Sequence, residues 1–166
     1  FAGVRGLVTA WATRERLCPV RYMTNDASGK MGFSRAEAAR NRGAQVTVIA
    51  GSTTAPVPDG IDIRRVESTR DLFDAVTTTA PDMDVVIQAA APADYRFAVT
   101  YPQKHKKAHD GQPLVVELVE NPDIEAAVGA ATRPGQGLVR SAAGTEQPLQ
   151  TAQRQPGRQQ PGRTVS

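Results

Sequence analysis

Residues 32–50, GFSRAEAARNRGAQVTVIA, decide the fold. Phe33, Ala36 and Ala39, with Ala38 beside them, recur at helical spacing, while Arg35, Arg40 and Arg42 point away. Gly43 stands where a helix ends on a left-handed residue. QVTVIA, at 45–50, is apolar and β-branched, the composition of a buried strand. A helix turning straight into such a strand is half of a parallel crossover unit.

Outward from this stretch the pattern repeats. Residues 4–10 form a short apolar run that predicts a first buried strand, and residues 11–30 read as a loop broken by Pro19. After a proline-containing loop at 51–60, residues 61–66 alternate as a third strand. Ser68 or Thr69 then caps a helix that buries Leu72, Phe73 and Val76. Pro81 and Asp82 stop this helix, and VVIQA at 85–89 supplies a fourth strand. A further strand is expected at 114–119, followed by a helix with Asn121 at its cap and Pro122 at its first position. The order strand, helix, strand, strand, helix, strand predicts an α/β fold, a Rossmann-like doubly wound and mainly parallel sheet with flanking helices.

From Gln147 the chain reads QPLQTAQRQPGRQQPGRTVS, with no acidic residue and few apolar ones, so residues 147–166 are expected to be a disordered Gln/Arg/Pro-rich tail behind one domain at 1–146. The chain begins at Phe1, as a piece of a longer protein would. Its 166 residues carry a net charge of +3, too mild to imply nucleic acid. Cys18 is the only cysteine, which excludes an internal disulfide and a thiolate zinc site. No apolar run approaches the roughly 20 residues that cross a bilayer, so no membrane association and a cytoplasmic location are expected.

Three loops carry candidate chemistry. PVRYMTNDASGKMGF at 19–33 places Asn25, Asp26, Ser28 and Lys30 before a helix N-terminus that favours an anion. The same segment reads equally well as a solvated loop with two structural glycines. It is not a Walker A loop, since Thr24 stands where that motif needs glycine and Met31 where it needs Ser or Thr. Nor is GxGxxG present, because the first turn reads Thr9-Ala10-Trp11-Ala12-Thr13. The second loop, 89–96, has small residues (Ala89, Ala90, Ala91) that leave room for a ring or ribose, with Asp94 and Arg96 as polar partners. Its plain alternative is a helix start capped by Asp94. The third, Lys104-His105-Lys106-Lys107, suits a triphosphate under a closing lid, or is simply a solvated basic loop. His105 and His109, with no third ligand, make no metal site.

PVRYMTNDASGKMGF, APADYR, the Lys104-Xaa-Lys-Lys group and ENPDI resemble, in order and spacing, the CTP-dependent phosphopantothenate–cysteine ligase family of coenzyme A biosynthesis. The likeness spans roughly residues 4–135. It implies a ligase that joins 4′-phosphopantothenate to cysteine through an acyl-cytidylate, with CTP as substrate and Mg²⁺ on its phosphates. By the same resemblance, Asn25 holds the substrate and stabilises the intermediate, and Arg21 reaches the pantothenate of a neighbouring subunit in a homodimer. Ala90, Ala91 and Asp94 line the pocket, with Ala89 on its nucleotide side. Lys104 meets the CTP phosphates, with Asn121, Pro122 and Asp123 near the nucleotide. A flavin-dependent decarboxylase, the only holder of FMN, is expected upstream.

Two departures stand out. Trp11-Ala12 replaces the family's Gly-Gly, and Cys18 replaces an acidic residue. After Val139 the family's Gly-Phe-Ala-Ala-Glu-Thr gives way to Arg140-Ser141-Ala142-Ala143-Gly144-Thr145, as a shifted reading frame would produce. Weak nucleotide binding and poor or absent turnover are therefore expected. The alternatives are a short-chain-type NAD(P) oxidoreductase, disfavoured by the missing glycine fingerprint and Tyr-Xaa-Xaa-Xaa-Lys pair, and a catalytically dead remnant of the ligase.

Overall fold

The computed structural model describes residues 1–51, 58–141 and 163–165. Six strands form one sheet in the order β10-β9-β6-β1-β4-β5, every neighbouring pair parallel. They are β1 (Arg5–Ala10), β4 (Gln45–Ala50), β5 (Asp62–Arg65), β6 (Val85–Gln88), β9 (Gly137–Ser141) and β10 (Arg163–Val165). The Rossmann-like doubly wound sheet read from the sequence is the fold observed.

β1 lies at the centre, and its side chains are buried on both faces. Leu7 joins Ile49, Val86 and Leu138 against α2 (Thr69–Thr79) and α3 (Ile124–Ala131), whereas Val8 and Ala10 join Val46 and Val48 against α1 (Lys30–Asn41). That two-sided burial explains the uninterrupted apolar run. Gly32 lets α1 settle onto the end of β1, since a Cβ there would stand 2.6 Å from the Cβ of Ala10.

The helix ends follow local chemistry. Gly43 follows the C-cap Arg42 at φ 91° and returns its N–H to the carbonyl of Arg40. α2 opens on a full capping box, in which Ser68 Oγ accepts from the N–H of Asp71 and the Asp71 carboxylate accepts from the N–H of Ser68. A 3-10 turn at Ala80–Asp82 ends the helix at Pro81.

Several expectations need correction. Residues 11–30 are not wholly loop: β2 (Arg14–Cys18) and β3 (Arg21–Thr24) form an antiparallel hairpin, bulged between Arg16 and Cys18. Its charged residues hide a strand alternation in which Glu15 and Leu17 turn inward. The strand expected at 114–119 is confined to β8 (Leu118–Glu120), paired antiparallel with β7 (Tyr95–Phe97), and Leu114 and Val115 are exposed. Asp94 caps no helix, because β7 follows it. The last helix is capped by Asp123, whose carboxylate accepts from the N–H of Ala126, while the Asn121 side chain is engaged elsewhere. Within the segment expected to be a tail, Arg163–Val165 pairs parallel with β9. The rest of that tail, the boundary at 146 and most of the 51–60 loop lie outside the described residues.

One seam carries a polar conflict. Gln88 and Arg140 face each other in the β6–β9 register and are 6% and 5% exposed. Both amide atoms of Gln88, and Nε and Nη2 of Arg140, are buried without a hydrogen-bond partner. Gln88→Met keeps the volume and removes the unsatisfied amide, so it is expected to raise unfolding stability by about 1 kcal/mol in thermal or urea denaturation. Ser68→Ala is expected to cost about 1 kcal/mol through the lost cap. The Ser68 N–H holds the Asp71 carboxyl below its ordinary value. Its stabilisation is therefore present above the unfolded Asp range and lost as pH falls through the lowered value. Asp71→Asn should remove that part of the acid dependence.

Candidate functional site

The first crossover turns from β1 toward β4, and the later one places β6 on the other side of β1. The strand order reverses there, so the carboxyl ends of β1 and β6 border the crevice where α/β sheets hold ligands. The loop leaving β6, residues 89–94, forms its floor.

That floor is held by hydrogen bonds from distant parts of the chain. The N–H groups of Ala89 and Ala90 both donate to Thr9 Oγ1 at 3.1 Å, and the N–H of Ala91 donates to the Trp11 carbonyl at 2.9 Å. The N–H of Ala93 donates to Thr13 Oγ1 at 3.0 Å. Asn25, just past the hairpin, reaches across with Nδ2 to the carbonyls of Ala91 and Pro92 at 3.3 and 3.0 Å. Asn121 donates from Nδ2 to the Ala93 carbonyl at 2.9 Å and from its N–H to the Asp94 carbonyl at 2.7 Å. Arg96 Nη1 donates to the Glu120 carbonyl and to Asn121 Oδ1.

The chemical consequence is specific. With the N–H groups of 89, 90, 91 and 93 already committed, and Pro92 having none, residues 89–93 form no oxyanion hole. It offers half-buried Ala89, Ala91 and Pro92 beside exposed Asp94, a surface suited to a flat ring or a short polar chain. Neutralising a phosphate would require cationic groups from other parts of the chain.

A basic run, Lys104 to Lys107, lies on the segment between β7 and β8. Arg21 Nη1 donates to the His105 carbonyl at 2.8 Å, joining the hairpin to this segment. Between them is a cavity of about 620 Å³ lined by Leu17, Arg21, His105, Lys106, Lys107 and Leu114, among others. Lys104 is exposed on the same segment. The N–H of His105, above all, holds the buried Cys18 thiol below its ordinary value, and the Val20 N–H and Arg21 guanidinium add to this against the opposing effect of burial.

The structure therefore brings together Asn25, Ala89, Ala90, Ala91, Asp94 and Asn121. It places Arg21 and Lys104 at the basic segment, and leaves Pro122 and Asp123 at the start of α3, where Asp123 is occupied as its cap. Sequence reasoning passed over Thr9, Thr13 and Glu15, all buried. For Thr9 the available signal was a polar residue inside an otherwise apolar strand; Thr13 stands before β2, and Glu15 alternates inward within a charged strand. Among the described residues no three His, Cys, Asp or Glu side chains gather as a metal site, and no helix is long and apolar enough to cross a membrane.

Trp11 occupies the turn after β1 at φ 71°, a left-handed conformation that a bulky side chain adopts only under strain. Its indole lies across Gly29, where a Cβ would stand 2.2 Å from the ring, and meets Phe33 edge-on at 4.7 Å between centroids. The ring thus fills the space between the end of β1 and the start of α1. Gly29 itself has φ 68°, and α1 begins with no side-chain cap.

Residues 1–161 match the family described as the DNA/pantothenate metabolism flavoprotein C-terminal domain. The coenzyme A biosynthesis bifunctional protein CoaBC of Vibrio vulnificus strain YJ016 is 45% identical over 126 residues, 76% of this chain and 31% of that protein. The protein of the same name from Mycobacterium tuberculosis strain H37Rv is 46% identical over 137 residues, 82% of this chain and 32% of that protein. The chain therefore spans about a third of the length of these curated relatives. Among solved structures, a crystal structure of the C-terminal domain of CoaBC superposes with a TM-score of 0.78 at 38% identity, covering 93% of this chain and 71% of that one. With its parallel sheet, its strand-end site and these likenesses, the chain belongs to the family of DNA/pantothenate metabolism flavoprotein C-terminal domains.

Proposed function

We propose that this chain is the ligase-type portion of a coenzyme A biosynthesis protein, joining 4′-phosphopantothenate to cysteine at the expense of CTP, with its turnover reduced by Trp11. The observation that carries the reading is the convergence of Asn25 and Asn121 on the 89–94 shelf at the strand-order reversal. The relatives' names supply the reaction context.

A carboxylate is a poor acyl donor. In this reading the phosphopantothenate carboxylate attacks the α-phosphorus of CTP, forming a P–O bond as the bond to pyrophosphate breaks. The cysteine amine then attacks the acyl carbon, CMP leaves with the C–O bonding pair, and the amine's proton passes to solvent. Both steps move charge onto phosphate oxygens, so positioning and cationic groups matter more than a protein nucleophile. Asn25 orients the acyl group from the shelf edge, and Asp94 and Ala89–Ala91 seat the nucleotide and pantothenate. Lys104 meets the triphosphate, Asn121, Pro122 and Asp123 border the nucleotide, and Arg21 engages pantothenate across a homodimer. Mg²⁺ fits as an ion carried in by the triphosphate with its own waters, since the described residues supply scattered carboxylates and no closed cage. The ligase portion is taken as residues 1–146, the flavin-bearing decarboxylase as a separate part of such bifunctional proteins, and the location as cytoplasmic.

A second reading, a catalytically silent member of the family, is favoured by Trp11 alone. The two separate by experiment. Chromatography of CMP released from CTP, phosphopantothenate and cysteine is expected to show slow turnover, falling at least 100-fold further in Asn25→Ala. Trp11→Gly combined with Ala12→Gly should tighten CTP binding at least tenfold in calorimetry and raise turnover. An unchanged CTP affinity would refute the role given to Trp11. No CMP from either chain would favour the silent copy.

A further inference from the structure

The shelf rests on a buried polar knot that belongs to none of the candidate binding residues. Thr13 and Thr69 are 0% and 1% exposed, and their hydroxyl oxygens lie 2.8 Å apart. The N–H of Ala93 stands 3.0 Å from Thr13 Oγ1 and 3.2 Å from Thr69 Oγ1, and Thr69 Oγ1 is 3.3 Å from the Ala93 carbonyl. One proton arrangement satisfies every contact. The Thr13 hydroxyl donates to Thr69, the Thr69 hydroxyl donates to the Ala93 carbonyl, and the Ala93 N–H donates back to Thr13 while sharing its proton with Thr69. The ring of hydrogen bonds closes on one residue of the shelf.

Behind the ring stands Glu15, 4% exposed, whose Oε1 accepts from the N–H of Thr69 at 2.9 Å. It thereby meets one of the unpaired donors at the start of α2 and fixes where Thr69 sits. From the other side, Thr24 Oγ1 donates to the Thr13 carbonyl at 2.6 Å, one residue before Asn25. The knot therefore links the shelf, the start of α2 and the segment that carries Asn25.

We infer that Thr69 is a positioning residue of the site, which with Thr13 and Glu15 holds the 91–94 shelf in the shape that Asn25, Asn121 and the ligand require. It touches no substrate and acts through Ala93. The ligand side of this inference rests on the ligase reading. The peptide-geometry side stands without it.

The test compares the whole chain with Thr69→Val, which keeps shape but loses the hydroxyl, and Thr69→Ser, which restores it. Two measurements are made well below the unfolding midpoint: CTP affinity by calorimetry, and amide hydrogen exchange at Ala93 and Asp94 by NMR. Thr69→Val is expected to raise the Ala93 exchange rate and weaken CTP binding, each at least tenfold. Thr69→Ser should return both to within about threefold of the unsubstituted chain. A purely structural hydroxyl would lower the unfolding midpoint yet leave CTP affinity of the folded chain unchanged, and that outcome overturns the inference. So does a Ser variant as impaired as Val. If Thr69→Val does not fold, Thr13→Ala breaks the same ring from the hairpin side and is read in the same way. If the unsubstituted chain binds no CTP, the ligase reading fails, and unchanged Ala93 exchange in the Val variant would then refute the positioning claim separately.

Discussion

β1 pairs in parallel with β4 on one side and β6 on the other, and most of the molecule depends on that double pairing. Parallel strands need crossovers, so the chain leaves β1 and β6 at the same edge of the sheet and must turn there twice. Backbone groups in those turns lose their ladder partners and have to find others. Thr9, Thr13 and Thr69 supply hydroxyls for this, placed at the strand ends and at the start of α2. A buried polar edge on an otherwise apolar sheet is the result, and the site is built on it.

The site divides its work physically. The shelf is fixed by neutral hydrogen bonds that occupy the N–H groups of Ala89, Ala90, Ala91 and Ala93, and Ala90 packs against the core beneath it. Cationic groups sit instead on the exposed segment between β7 and β8, which is tied back to the hairpin where Arg21 meets the His105 carbonyl.

Two places break the agreement between local chemistry and fold. Trp11 holds a backbone conformation suited to glycine and covers Gly29 with its ring. Gln88 and Arg140 bury four polar atoms without partners where β6 and β9 meet. The first lies at the carboxyl end of β1, beside the candidate site. The second lies beneath the sheet's edge, against the α3 side that also buries Leu138, and bears on stability.

What the sequence determined by itself was the layered α/β plan, since helical and strand periodicities are local and survive in one chain read alone. It also determined the motif-bearing loops, with Asn25, the alanines after β6 and Asn121 among them. The β2–β3 hairpin escaped because charged residues masked its alternation, and Asn121 was read as a helix cap because Asn-Pro usually is one. Only tertiary structure decided that Asn121 serves the Ala93 carbonyl while Asp123 caps α3. It alone could join Thr13 to Thr69 and both to Ala93, residues 56, 80 and 24 positions apart in the chain. Such bonds leave no periodic trace in sequence, because they are set by where strand ends meet in space.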